Sequence, residues 1–230
     1  MSKSIEIACS NFISCRNAEK GGATRIELFE NLADGGCTPS YGTMRLAKEK
    51  ISLPIYAMIR PRGGDFCYSK DEFESMKLDI QICKEIGIDG IVFGILDVKR
   101  RVDMTRSEEL MNLWQGKATF HRAIDMSENI FQSTENIIQL GFERILTSGG
   151  KSTAIDGFST ILELNRQYGH KISVMAGSGI TAENVHLFYE LKEIHATCKS
   201  EMPSNELFGK YIVSDEDKIR ELRVVYYRKN

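Results

Sequence analysis

The sequence predicts a closed (β/α)8 (TIM) barrel, and three observations carry the prediction. Short runs of apolar and β-branched residues alternate with longer stretches of helical periodicity along the whole chain. Eight such runs fit within the 230 residues, a length that suits eight strand–helix units with parallel strands. No linker, low-complexity tract or charge run breaks the alternation, so residues 1–230 read as one domain. An open doubly wound sheet is the rival arrangement of the same alternation.

The first two strands are read as "SIEIACS" (4–10) and "TRIELFE" (24–30), each with one glutamate between apolar residues. "PIYAMIR" (54–60) follows and ends on Arg60. The clearest helix comes next, in residues 69–87. Ser69 and Glu72 have the spacing of a capping box, Phe73, Met76, Ile80 and Cys83 recur near a period of 3.6, and Gly87 is placed to stop it. "GIVFGIL" (90–96) and "KATFHRAID" (117–125) are the fourth and fifth strands. A second helix is expected from a Ser127 cap to Gly141, before the sixth strand, "ERILTSG" (143–149). "KISVMAGSG" (171–179) leads into a helix expected to start near Thr181, and "EIHATCKS" (193–200) is the eighth strand. Residues 201–213 read as a long loop and 215–229 as the final helix, making eight helical segments.

The formal net charge of -2 excludes the basic excess of a nucleic-acid-binding protein or an electrostatic membrane anchor. No signal-peptide pattern or membrane-length apolar run is present, so a cytoplasmic protein with six reduced cysteines is expected. No C-x-x-C spacing occurs.

In a closed barrel, alternate strand residues face the lumen. Glu6, Glu27, Arg60, Thr119, His121, His195 and Thr197 fall on the face opposite their apolar neighbours. Buried charges must be paired, so Arg60 is expected to order Glu6 and Glu27. The set is either a self-satisfied ionic plug or catalytic machinery at the carboxyl ends of the strands. In the second case Glu6, Glu27 and His121, with His195, are acid–base candidates, and Arg60 is an electrostatic clamp.

Substrate-binding candidates at the same rim are Arg62, Asp125, Thr147, Ser148, Gly177 and Gly179. In "MIRPRGGDF" Arg62 is expected to stand free and receive a carboxylate or phosphate. The loops "LTSGG" and "MAGSGITAEN" are small-residue turns suited to an anion, or turns and caps without a ligand. His170 and His186 read as ordinary solvated or core residues. Cys9 and Cys198 end the first and eighth strands, and a thiolate pair suits Cu(I). A buried unligated thiol is the commoner fate.

The segments "IEIACSN", "GGATRIELFENLADGGCTPSYG", "MIRPRGGDFCYS", "TFHRAIDM", "FERILTSGG", "VMAGSGI" and "EIHATC", in this order, resemble the CutC family, named for copper homeostasis. The resemblance covers roughly residues 4–200 and implies a TIM barrel, a cytoplasmic homodimer and Cu(I) held through cysteine. Cys9 and Cys198 are the ligand candidates, with Cys37 or Cys67 beside them. Phe29 follows "RIEL" where the family often carries cysteine, and Ala176 and Ser178 vary the family's "MPGGGI". Three classes stay open: a copper-handling protein, an enzyme acting on a small anionic metabolite, and a dimeric scaffold without activity.

Overall fold

Along β1 (Ser4–Cys9), Ile5, Ile7 and Cys9 alternate with Glu6 and Ala8, and pleating sends the two sets to opposite faces. The computed structural model, which describes residues 3–202 and 211–228, shows what each set meets. Ile5, Ile7 and Cys9 join the large apolar core between strands and helices. Ala8 joins a smaller apolar group inside the cylinder, with Phe29, Tyr56, Met58 and Val92.

The same division holds around the sheet. It runs from β1 through β2 (Arg25–Leu28), β3 (Ile55–Met58), β4 (Gly90–Phe93), β5 (Lys117–Phe120), β6 (Arg144–Thr147) and β7 (Ser173–Ala176) to β8 (Glu193–Ala196). Every neighbouring pair is parallel, and β8 pairs with β1, closing the predicted eight-stranded barrel. The open sheet is thereby excluded. Register places Glu6 between Arg25 on β2 and His195 on β8. Side chains at matched positions of parallel strands share a face, so these three groups meet in the lumen.

Seven α-helices are present among the described residues: α1 (Phe12–Gly21), α2 (Tyr41–Lys50), α3 (Lys70–Ile86), α4 (Met104–Trp114), α5 (Ile130–Gln139), α6 (Phe158–Tyr168) and α7 (Glu216–Tyr227). None is long and apolar enough to cross a membrane. Helix α3 keeps the predicted signals. Ser69 and Glu72 form the reciprocal capping box, and Gly87 takes the left-handed conformation at φ 79°.

Three local expectations are corrected. The helix expected from Thr181 is only a 3-10 turn, Val185–Phe188. Asn184 holds the segment before it as a turn, accepting from the Thr181 N–H at 3.0 Å and donating to the Gly179 carbonyl at 2.8 Å. Such side-chain bonds compete with helix formation. The fifth strand stops at Phe120 and does not reach residue 125, because His121 Nδ1 accepts from the Ala123 N–H and the chain coils into a 3-10 segment, Arg122–Met126. Helix α5 is capped by Asn129, which accepts from Phe131 and Gln132 N–H, while Ser127 ends the preceding 3-10 segment.

The loop expected over 201–213 has a paired strand at each end. Residues β9 (Lys199–Met202) and β10 (Tyr211–Ser214) form an antiparallel ladder, and residues 203–210 lie outside the described residues. Helix α7 then packs on α1. Near its end the Lys3 ammonium donates to the Tyr226 carbonyl, and the Tyr227 hydroxyl donates to the Lys3 carbonyl, both at 2.9 Å.

Gly90 sits where β4 faces the lumen and the Tyr56 ring crosses it. A Cβ there would lie 2.5 Å from Tyr56 Cδ2. That ring cannot step aside, because it lies between the Arg25 and Arg144 guanidinium groups, with centroid distances of 5.2 and 5.0 Å. Gly90→Ala is therefore expected to cost about 1–3 kcal/mol of stability as an overpacked site, read as a lower urea midpoint at unchanged slope.

Candidate active site

The lower lumen is an ionic lattice. Glu6 Oε2 accepts from Arg25 Nε at 2.5 Å, and Arg25 Nη2 donates to Glu193 Oε2 at 2.5 Å. Arg144 Nε reaches the same Glu193 oxygen at 3.1 Å, its Nη1 pairs with Glu143, and Tyr56 donates its hydroxyl proton to Glu143 at 2.6 Å. The expected partnership of Arg60 with Glu6 and Glu27 is corrected: Arg25 takes Glu6, because it is Glu6's register neighbour. Arg60 lies past the end of β3 and bonds elsewhere. "TRIEL" carries the missed signal, since Arg25 alternates in phase with Glu27.

Above the lattice, His195 links the two glutamates. Its Nδ1 lies 2.8 Å from Glu6 Oε1 and its Nε2 3.7 Å from Glu27 Oε2. Glu6 is fully buried. Burial pushes its carboxyl up, but Arg25, the hydrogen bond from His195 and Arg144 outweigh this and hold it below the usual carboxylate range. Glu27 has no direct arginine partner among the described residues. Burial, together with the negative charge of Glu6, pushes its carboxyl up to about 7 against the pull of His195. Burial opposes the charged form of His195, yet Glu27 and the Glu6 bond raise its pKa.

Glu27 and His195 open onto a cavity of about 630 Å³ at the carboxyl end of the strands, lined also by Phe29, Arg60, Phe66 and His121. Arg60 is 3% exposed, and the hydrogen bonds of its guanidinium go to backbone carbonyls: Asp34 and Gly36 from Nη1, and Gly64 from Nη2. No carboxylate pairs with it among the described residues, and its ring contact is to Phe66 at 4.9 Å. His121 Nδ1 accepts from the Ala123 N–H, which leaves its proton on Nε2. Burial, then the Arg60 charge, lowers its pKa to about 3, so the imidazole is neutral.

Three buried polar atoms lack a partner among the described residues and belong to side chains lining this one cavity: Glu27 Oε1, Arg60 Nε and His121 Nε2. Buried polar groups are ordinarily satisfied, so these three side chains beside one cavity are the ones a ligand or ordered water there would engage.

The other candidates are placed differently. Arg62 is not free: it pairs with Glu72 at 2.5 Å and Asp65 at 3.0 Å, away from the cavity lining. Glu72 serves as the reciprocal member of the α3 capping box and reaches Arg62 from there. Arg62→Ala is accordingly expected to change stability by no more than about 1 kcal/mol and to leave ligand affinity unaltered in a calorimetric titration. Thr147 and Ser148 are fully buried and bond to Asp125 rather than face the cavity. Gly179 lines it, as does Thr197. Gly177 acts by smallness, since a Cβ there would lie 2.5 Å from Leu146 Cδ1 and 3.3 Å from His195 Cβ. Thr119 accepts from Arg144 in the lattice. His170 and His186 are exposed.

Cys9 is fully buried in the helix-facing core, with its thiol on the Ile7 carbonyl, and Cys198 lines the cavity. Burial pushes the Cys9 thiol well up, and burial pushes that of Cys198 to about 12. Among the described residues the one group of three side chains spaced to hold a metal is Glu6, Glu27 and His195, with no cysteine in it.

Comparison with known proteins places this architecture. A model of the CutC family matches residues 3–200. A CutC family protein of Xylella fastidiosa strain 9a5c is 40% identical over 238 residues, covering 96% of this chain and 88% of its own. One of Aliivibrio fischeri strain MJ11 is 44% identical over 210 residues, covering 89% and 85%. The crystal structure of a Streptococcus agalactiae protein assigned as the copper homeostasis protein CutC superposes with a TM-score of 0.80 at 32% identity, covering 85% of this chain and 98% of that one. A thiamine phosphate pyrophosphorylase from Pyrococcus furiosus, at 14% identity and a TM-score of 0.61, shares the barrel alone. With the motifs, the closed barrel and these relatives in agreement, the chain belongs to the CutC family.

Proposed function

We propose that this protein is an enzyme that binds a small anionic metabolite at the barrel mouth and transfers a proton to or from it. Glu27 is the proton carrier. The observation that carries the reading is the unpartnered trio of Glu27 Oε1, Arg60 Nε and His121 Nε2 on one cavity. A carboxyl titrating near 7 exchanges protons in both directions at neutral pH. Glu6, held anionic by Arg25, orients His195 beside Glu27 and favours its charged form. Arg60 and the neutral His121, both 3% exposed, supply donors to negative charge on the ligand from buried positions, where such donors act more strongly than in water.

The family's name links it to copper. Cu(I) prefers thiolate and thioether ligands, and Cys9 and Cys198 do not fit that need: Cys9 is turned into the core and both thiols are held protonated. Phe29 fills the cavity wall where the family often carries another cysteine. Two carboxylates and an imidazole suit a harder divalent ion, but Glu6 is already bonded through both oxygens. In an anaerobic competition against a chromogenic Cu(I) chelator, Cys9→Ser and Cys198→Ser are expected to match wild type. Residence in the cytoplasm belongs to the same proposal, supported by six free cysteines. So does assembly as a homodimer, supported by family membership.

The test of the enzymatic reading is solvent-deuterium incorporation in D2O, followed by NMR, into small carboxylated and phosphorylated carbonyl compounds. Wild type is expected to exchange a C–H of at least one compound that it binds. Bound compounds that never exchange would remove proton transfer from the account.

A further inference from the structure

The segment after β6 is built as an anion-binding loop, and Asp125 fills it. Asp125 Oδ1 accepts from the Thr147 hydroxyl at 2.5 Å, the Ser148 N–H at 3.1 Å and the Gly150 N–H at 3.0 Å. Its Oδ2 accepts from the Ser148 N–H at 2.9 Å, the Ser148 hydroxyl at 3.0 Å and Arg122 Nε at 2.9 Å. Two backbone amides, two hydroxyls and a guanidinium thus converge on one carboxylate, whose side chain is 5% exposed. Convergent amides of this kind, backed by arginine, recognise phosphate wherever they are left open. Here the position a phosphate would take is held from within, and the charge of Arg122, which lines the cavity, is spent on Asp125.

We infer that Asp125 is an internal anion that closes the strand-6 loop to phosphate, so that the ligand's charged group is a carboxylate seated at Arg60 and His121. The inference rests on the proposed ligand site, but its test needs no turnover. The cavity's inner wall offers one uncompensated guanidinium and one neutral imidazole N–H. That matches a single negative charge and leaves a phosphate dianion underneutralised. Lys199 and Lys218, also on the lining, are exposed at the outer rim, as are Glu183 and Glu221. The planar fork of Arg60 suits a carboxylate.

The experiment is calorimetric titration and thermal melting of the full chain with inorganic phosphate and with pyruvate. Wild type is expected to bind pyruvate more tightly than phosphate, and Arg60→Met to lose the pyruvate response. Asp125→Gly vacates the loop and is expected to bind phosphate at least about tenfold more tightly than wild type, with a melting point that climbs as phosphate is added. Equal phosphate affinity in wild type and Asp125→Gly would overturn the inference. So would a wild-type preference for phosphate, or the absence of any pyruvate response. Should Asp125→Gly fail to fold, Asp125→Asn keeps the loop filled but uncharged. It is expected to be less stable than wild type and to gain no phosphate affinity, and wild-type stability in that variant would equally overturn the role. A pyruvate response in wild type without deuterium exchange would remove proton transfer and leave carboxylate binding standing, so the two failures read differently.

Discussion

Arg25→Met is expected to lower stability by about 3–5 kcal/mol at pH 7, a large part of the roughly 5–15 kcal/mol of an ordinary domain. The change removes the shared partner of Glu6, which is fully buried, and Glu193, which is largely buried beside it. Two carboxylates would then face each other across the lumen with Arg144 alone between them. The loss is pH-dependent. Glu6 titrates below its ordinary range in the folded protein, so it adds stability above its unfolded pKa of about 4.5, and that stability is lost as pH falls through the lower folded value. In Arg25→Met this contribution is gone and burial drives the Glu6 carboxyl upward. The difference from wild type is therefore largest at neutral pH and shrinks toward pH 4, where the variant's carboxyls are neutral. Urea unfolding at pH 4 and 7 reads it directly. Adding Glu6→Gln to the variant should recover part of the loss, since removing both partners costs less than stranding one. A variant within about 1 kcal/mol of wild type at pH 7 would mean that the lattice does not hold the lumen together.

Glu27→Gln is expected to slow proton exchange by about 10²- to 10⁴-fold, the usual share of a positioned acid or base, while making the protein more stable above pH 7. The sign follows from the raised pKa. Folded Glu27 holds its proton up to about pH 7, and the unfolded carboxyl releases it near 4.5. Rising pH through that window therefore removes stability, up to about 3 kcal/mol by pH 8 for the group alone. The raised pKa of His195 acts in the same direction: its stabilisation is complete below its unfolded value and is lost as pH rises through the folded one. Glutamine cannot ionise, so the Glu27 share of the loss disappears, and the two proteins should converge near pH 4–5. Denaturation midpoints from pH 4.5 to 8.5, set beside exchange rates, separate this reading from a structural one. A purely structural Glu27 would lower stability when replaced, at every pH.

The barrel was legible from the strand count and the periods between strands, because register and burial act on whole elements. The capping box of α3 was legible for the same reason, as a local motif with its own energy. The inward set of Glu6, Glu27, His121 and His195 could be read from alternation alone. Their partners could not. Arg60 and Arg25 carry the same charge and both alternate inward, and only register puts Arg25 beside Glu6. Arg62 looked available because sequence does not show that the Glu72 of a capping box reaches it as well. Asp125 looked like a ligand-binding group for a related reason: a loop that can bind an anion reads the same whether the anion is a guest or the chain's own aspartate. The helix missing after β7 was lost to a single asparagine whose hydrogen bonds are visible only once the turn has formed.

The pairing of β1 with β8 has a consequence for how the protein is made. A chain emerging from the ribosome presents β1 long before β8 and cannot seal the cylinder until Glu193–Ala196 has followed it out. Until then the growing sheet has two bare edges, and Glu6 waits without the imidazole that will face it. Contacts across such a span form slowly, and unpaired edges invite association between chains. Yield from rapid overexpression should therefore depend on chaperone supply more steeply than the stability of the finished barrel would suggest.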